Sequence, residues 1–157
     1  MIYVQVSESV VSQGKPPLDT ALLERAALET LRQVGASLES EATIVLEDDL
    51  RLHELNLQFL GVDAPTDVLS FPGGEIDPDE EEVYLGDIII SYPRAQSQAQ
   101  AGGHALKDEL QLLVVHGMLH LLGYDHAGEG EKAEMWAEQE KVLSRLGIGH
   151  ISTLDQE

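Results

Sequence analysis

The hydrophobic pattern of the chain predicts four short β-strands. In the first seven residues, Ile2, Val4 and Val6 alternate with more polar neighbours, and this period of two is typical of a strand with one buried face. Three later segments are rich in β-branched and apolar residues and are bounded by residues that favour turns. The predicted strands cover residues 1–7, 42–46, 66–71 and 84–91.

Helical periodicity predicts two helices in the first half of the chain. The first begins after the loop residues Pro16–Asp19 and ends at Gly35, which is suited to the left-handed conformation that ends many helices. The second is capped by Asp48 or Asp49. One face of this helix carries apolar residues at i, i+3 and i+7, which are Leu52, Leu55 and Phe59.

Three more helices are predicted after the fourth strand. One starts at Pro93 and ends at Gly102-Gly103, and a second, over 106–122, is apolar on nearly every side and is expected to be central and buried. The third is amphipathic and covers 130–146. Its expected core contacts are Met135, Trp136, Val142 and Leu146. This order predicts an α+β fold, a mixed sheet of about four strands packed with about five helices, in one domain over 1–157.

Composition limits the classes of function. The 29 acidic and 9 basic residues give a formal charge of −20, which argues against a general nucleic-acid coat protein and against adhesion to anionic lipid. The absence of cysteine excludes disulfides and thiolate metal sites. The N-terminus lacks a signal-peptide pattern, and no apolar run is long enough to cross a bilayer. We therefore expect a soluble, cytoplasmic protein with no membrane partner. Much of the acid lies away from the histidine motif, in residues 77–82 and in the tail.

Three histidines have the spacing of a catalytic metal site. His116 and His120 are four residues apart on the predicted central helix, so both imidazoles lie on one face. Gly123 lets the helix end, and the chain can then return His126 as a third ligand. Three histidines and one open position are typical of a catalytic zinc ion rather than of a closed structural site. The open position would hold water with a pKa lowered to about 7.

The same spacing occurs in the metzincin proteases, but their catalytic glutamate is absent. Gly117 occupies the place of that glutamate, which acts as general base in peptide hydrolysis. The motif therefore predicts a metzincin-like metal site on a metal-dependent hydrolase, with proteolysis disfavoured.

The sequence His116-Gly-Met-Leu-His-Leu-Leu-Gly-Tyr-Asp-His126 resembles the signature of the YbeY family, bacterial endoribonucleases of rRNA maturation. The segments 65–72 and 85–88 and the pair Leu55-Asn56 are also similar to that family. The resemblance implies one Zn²⁺ on His116, His120 and His126. It implies a single-strand-specific endoribonuclease that processes the 3′ end of small-subunit rRNA and serves ribosome quality control. Its partners would be single-stranded rRNA or its precursor and the small subunit or assembly proteins, with no DNA.

The chain departs from the family pattern at one position. The family usually has an arginine, taken to bind or orient phosphate, where this chain has Leu60. A nearby basic residue could substitute, and the candidates are Arg51, Arg94 and Lys107. Each is equally well explained as an ordinary surface charge.

The catalytic residues predicted from the motif are His116 and Asp125. Asp125 is a candidate proton acceptor, and its alternative role is to orient a histidine N–H. Asp67 and Asp87 are weaker candidates whose default role is structural hydrogen bonding, and Ser70 lacks the arrangement of an activated nucleophile. Two other functions remain open: a zinc-stabilised ribosome-assembly protein with little catalysis, and a different zinc hydrolase.

Overall fold

A computed structural model describes residues 1–11, 19–74, 83–125 and 127–151 of the chain. The predicted loop around Pro16, the acidic segment 77–82, the ligand candidate His126 and the tail after residue 151 lie outside the described residues. The elements, in chain order, are β1 (Ile2–Val6), α1 (Glu8–Val11), α2 (Thr20–Val34), β2 (Glu41–Glu47), α3 (Asp49–Leu60), β3 (Val68–Pro72), β4 (Tyr84–Ser91), α4 (Tyr92–Gly102), α5 (Leu106–Leu121) and α6 (Glu129–Arg145).

The four strands form one mixed sheet in the order β1-β2-β4-β3. The β1–β2 and β2–β4 pairs are parallel, whereas β3 runs antiparallel to β4 and forms an edge of the sheet. In this register Ile88 of β4 lies between Ile44 of β2 and Ser70 of β3. The predicted α+β class with a mixed four-stranded sheet is confirmed. The described residues contain six helices rather than about five, because the four-residue α1 carries no periodic signal of its own.

The two faces of the sheet carry different helices. Ile88 and Ile90 belong to the large core that also includes buried side chains of α2, α5 and α6. The alternate residue Ile89 packs with Leu52, Leu55 and Leu69 in a smaller cluster under α3. Because successive strand residues point to opposite faces, α3 covers one face and α5 covers the other. Twelve of the sixteen α5 residues are buried, which confirms it as the central helix.

Gly86 shows why one motif segment of β4 needs a glycine. Its φ is +139°, and a Cβ at this position would overlap the carbonyl oxygen of Phe71 on β3. The antiparallel pairing of β3 and β4 therefore depends on the missing side chain.

Two local predictions about α3 are resolved by the structure. Asp48 is the N-cap and accepts a hydrogen bond from the Arg51 amide at 2.8 Å, whereas the side chain of Asp49 contacts Arg94. On the apolar face of α3, Leu52 and Leu55 are buried, whereas Phe59 is 58% exposed. The last turn of α3 reaches the edge strand, where the Phe59 ring meets the partly buried ring of Phe71, with centroids 5.3 Å apart.

The helix ends agree with the glycine pattern. Gly35 and Gly103 end α2 and α4 with φ of 74° and 72°, as predicted. The third strand begins at Val68, two residues later than expected. None of the described helices combines the length and hydropathy needed to cross a bilayer.

Candidate metal centre

Helix α5 brings His116 and His120 together as the spacing predicts. Their Nε2 atoms are 3.2 Å apart and their ring centroids are 4.8 Å apart. Two nitrogens bound to one tetrahedral zinc at 2.0–2.1 Å would be separated by about 3.3 Å. The two side chains therefore fit as ligands of a single ion, and the donor type fits zinc.

The third predicted ligand, His126, lies outside the described residues. Within the described ranges, no group of three His, Asp or Glu side chains could hold a metal ion. The described residues thus include two of the three predicted ligands, His116 and His120.

The two histidines line a cavity of about 540 Å³. Its walls come from three separate segments of the sequence. The lining residues are Asn56 and Leu60 of α3, Thr66, Val68, Leu69, Ser70 and Pro72 around β3, and His116, His120, Gly123, Tyr124 and Asp125 at the end of α5. Three segments that resemble the endoribonuclease family thus meet at one cavity.

Two hydrogen bonds hold the cavity walls together. The Ser70 hydroxyl donates to the carbonyl oxygen of Gly117 at 3.2 Å, which fixes β3 against α5. The buried Asn56 amide donates to the Ala64 carbonyl at 2.9 Å and fixes the loop that leads into β3. Ser70 therefore has a structural partner, which agrees with the expectation that it is not a nucleophile.

Gly117 has a packing role that explains the missing glutamate. A Cβ at residue 117 would lie 2.8 Å from Cγ2 of Ile88, a fully buried residue of β4. Any larger side chain would require the tightly packed Ile88 side chain to move. Position 117 faces the sheet rather than the cavity, so a metzincin-type glutamate has no place here.

His116 has a buried partner that the sequence analysis did not identify. Its Nδ1 atom lies 3.0 Å from Oε1 of Gln139 on α6, and these residues are only 4% and 3% exposed. The Trp136 ring of the same helix contacts His116 edge-on, with centroids 5.7 Å apart. One signal in α6 could have identified Gln139 as a functional residue. The helix buries four residues, and Gln139 is polar whereas the other three, Met135, Val142 and Leu143, are apolar.

The structure places the three acidic candidates in different surroundings. Asp125 lines the cavity and is exposed. Asp67 and Asp87 do not line the cavity. Asp87 accepts a hydrogen bond from the Tyr84 hydroxyl, which supports its structural role.

None of the described Lys or Arg side chains lines the cavity. Arg94 makes two hydrogen bonds to Asp49, at 3.0 and 3.1 Å, and Arg51 pairs with Glu54 at 3.3 Å. The hydrogen bond from Arg94 lowers the pKa of Asp49 and raises that of Arg94. The first two proposed substitutes for the family arginine thus already have carboxylate partners.

Two glutamate carboxylates act on the cavity wall near the histidines. Burial raises the pKa of the Tyr124 hydroxyl, and the carboxylates of Glu134 and Glu138 raise it further. Leu60, at the position of the family arginine, adds an apolar side chain to the cavity lining. We therefore expect the cavity by itself to attract a phosphate chain weakly.

Comparison with known proteins identifies the family of the chain. The family model described as Endoribonuclease YbeY matches residues 12–147. The chain belongs to the YbeY endoribonuclease family. Membership places it among the nucleases, a class of hydrolase.

Individual YbeY relatives cover nearly the whole chain. The Endoribonuclease YbeY of Pelotomaculum thermopropionicum is 50% identical over 142 residues, which is 87% of this chain and 93% of that protein. That of Roseiflexus castenholzii is 44% identical over 150 residues, 92% of this chain and 94% of that protein. The solution structure of TM1509 from Thermotoga maritima superimposes with a TM-score of 0.55 and 25% identity, covering 100% of both chains.

Proposed function

We propose that this protein is a zinc-dependent endoribonuclease that cleaves single-stranded RNA. The observation that carries the proposal is the 3.2 Å separation of the His116 and His120 Nε2 atoms at the wall of an open cavity. His126 is the expected third ligand. Zinc bound here would stabilise charge on a phosphate and lower the pKa of a bound water to about 7.

The protein's own groups have separate roles in this proposal. His116 and His120 would hold the ion at the cavity wall. Asp125, an exposed residue that lines the cavity, would accept the proton of the attacking water or of the RNA 2′-hydroxyl. The new phosphorus–oxygen bond replaces a phosphorus–oxygen bond of the RNA backbone, whose oxygen leaves as a hydroxyl after taking up a proton from solvent. Attack by the 2′-hydroxyl would restrict cleavage to RNA and exclude DNA. The alternative role of Asp125 is to accept a histidine N–H and so orient a ligand.

The biological substrate we propose is rRNA or its precursor, at the 3′ end of the small-subunit RNA. This assignment rests on the family resemblance. The proposed role in ribosome quality control and the proposed cytoplasmic location rest on it as well. The charge of −20 adds a condition on the substrate. Because the cavity wall has no described cation, the small subunit or an assembly protein would have to hold the RNA strand in place.

The decisive experiment compares two histidine variants. His116→Ala should abolish both zinc binding, measured by elemental analysis, and cleavage of a labelled single-stranded RNA. His53→Ala is the matched control, because His53 contacts Asp63 at 2.7 Å on the exposed side of α3 and does not line the cavity. Metal-free wild type that cleaves RNA at the original rate would overturn the proposal.

A second candidate function is a zinc-stabilised ribosome-assembly protein with little catalysis. Leu60 favours this candidate, since it places an apolar residue where the family has its phosphate-binding arginine. Cleavage activity that disappears on repurification, with zinc and fold retained, would support it. A different zinc hydrolase is tested by a peptide substrate in the same assay, and the packing of Gly117 against Ile88 argues against proteolysis.

A further inference from the structure

The buried contact between α5 and α6 assigns a task to Gln139. Its Oε1 atom is 3.0 Å from Nδ1 of His116, and both side chains are almost completely shielded from water. An amide oxygen can only accept a hydrogen bond, so Nδ1 must carry the proton when this contact forms. A neutral imidazole has one proton, and Nε2 then keeps its lone pair.

This lone pair is the one that the proposed metal site needs. The Nε2 atom of His116 lies 3.2 Å from Nε2 of His120, and both residues line the cavity. We propose that Gln139 is a positioning residue, which holds His116 in the Nδ1–H tautomer and fixes its ring so that Nε2 can bind the ion. This inference rests on the zinc site proposed above.

Helix α6 is well suited to this task. Gln139 stands one turn after Met135 and three residues before Val142, and both of these apolar side chains are fully buried. The amide therefore projects from a fixed segment of backbone. The Trp136 ring, also from α6, contacts the same imidazole edge-on at 5.7 Å between centroids. Both contacts limit rotation of the His116 ring, and neither adds a charge.

The first test measures zinc affinity by competition with a chelator. Gln139→Leu should lower the affinity about 10- to 100-fold, which is the usual effect of losing a hydrogen-bond partner of a metal-bound histidine. Gln139→Glu keeps the acceptor oxygen and should restore the affinity to near the wild-type value. The matched control is Gln33→Leu on α2. This change removes an amide that donates a hydrogen bond to Glu138 of α6 at 2.9 Å. This control should leave the affinity unchanged.

The second test observes the tautomer directly. In metal-free protein at about pH 8, where an unperturbed histidine is neutral, nitrogen NMR of His116 should show the Nδ1–H form in the wild type. In Gln139→Leu the same ring should show a mixture of both tautomers. Thermal unfolding of the metal-free variants identifies any variant that has simply lost its fold.

The outcomes separate this inference from the proposed function. A wild type that binds zinc and cleaves RNA, with affinity and tautomer unchanged in Gln139→Leu, would overturn the role of Gln139 alone. An Nε2–H form in metal-free wild type would also overturn it. A wild type that shows the Nδ1–H tautomer but binds no zinc would overturn the proposed metal site instead.

Discussion

The two ends of helix α5 each place a histidine next to a buried partner, yet the two clusters differ in kind. Near its start, His104 Nε2 lies 2.6 Å from Glu109, and Gln98 donates to the other carboxylate oxygen at 2.9 Å. Near its end, His116 contacts the neutral Gln139, and its second nitrogen lines a cavity of about 540 Å³. We name these the His104 cluster and the His116 cluster.

The difference in surroundings is the reason why we propose metal binding at His116 and not at His104. In the His104 cluster a carboxylate accepts from two donors, and the other side of the ring packs on Gly102, where a Cβ would lie 2.8 Å from Nδ1. In the His116 cluster the partner is uncharged and the cavity side of the ring meets His120. The first arrangement joins α4 to α5, whereas the second lies where we propose that the ion binds.

The largest expected effect is the difference in the free energy of unfolding between His104→Ala and His116→Ala. His104→Ala should lower the free energy of unfolding of metal-free protein by about 3 kcal/mol, because it leaves the buried Glu109 carboxylate with one partner fewer. His116→Ala should lower it by only about 1–2 kcal/mol, for the lost contact with the neutral Gln139. Denaturant unfolding gives both values.

With zinc added, His104→Ala should become more stable than His116→Ala, which is the reverse of the order in metal-free protein. Added zinc should raise the melting temperature of the wild type and of His104→Ala, but not that of His116→Ala. Equal stabilisation of His116→Ala by zinc would show that the two clusters have been assigned the wrong roles.

The second effect tests the packing that separates the His116 cluster from a protease site. Gly117→Ala should destabilise the protein by about 2 kcal/mol relative to Gly130→Ala, since the new methyl group meets Ile88. Gly130 lies in the first turn of α6 with nothing near its Cβ position, so it serves as the control. Replacing Ile88 by alanine in both backgrounds should remove most of the difference. A stable Gly117→Ala protein with Ile88 intact would contradict the packing argument.

The third effect concerns charge at the His116 cluster. Leu60→Arg should increase cleavage of single-stranded RNA by on the order of tenfold at low salt, because it adds a cation to the cavity wall. The gain should shrink as salt rises. Leu57→Arg, on the same helix but away from the cavity, is the control for a general increase in positive charge. An equal gain from both variants would mean that the position of the charge is irrelevant.

The smallest effect tests whether burial is the reason why the His104 cluster contributes so much to stability. The Asp49–Arg94 pair has good geometry, but each side chain is more than a third exposed. Its hydrogen bond lowers the pKa of Asp49 below the ordinary 3.8, so its stabilisation is present above that pH and is lost as the pH falls through the folded value. Asp49→Asn should therefore change stability by less than about 1 kcal/mol near neutral pH and by nothing in strong acid.

Unfolding of the Asp49→Asn, Arg94→Gln and double variants as a function of pH checks this expectation. The single variants should be equally destabilised near neutral pH, and the double variant should be no worse. A loss as large as that of His104→Ala would show that exposure does not weaken an ion pair in this protein.

The helices and strands were largely predictable because their signals are local. Period-two alternation in β1, the Asp48 cap and the glycines after α2 and α4 each act within a few residues of the feature they determine. The exposure of Phe59 could not be predicted in this way, since helical spacing does not show where the sheet ends. The exposed edge of β3 decided its environment.

The candidate site was only partly predictable. The His116–His120 pair follows from helix geometry, because four residues make one turn. Gln139 is 23 residues from His116, and no local pattern pairs them. The same is true of Leu60 and Asn56, which reach the cavity only because α3 lies beside the edge strand.

The sequence by itself determined the α+β class, the histidine spacing and the family, because these depend on periodicity and on motifs within single segments. Only the tertiary structure decided which residues surround the histidines. The packing of α6 against α5 supplies Gln139, and the packing of α5 against β4 excludes a side chain at Gly117. The physical reason is that a cavity and its hydrogen bonds are made by elements far apart in the chain, whose contacts depend on how the sheet and helices pack.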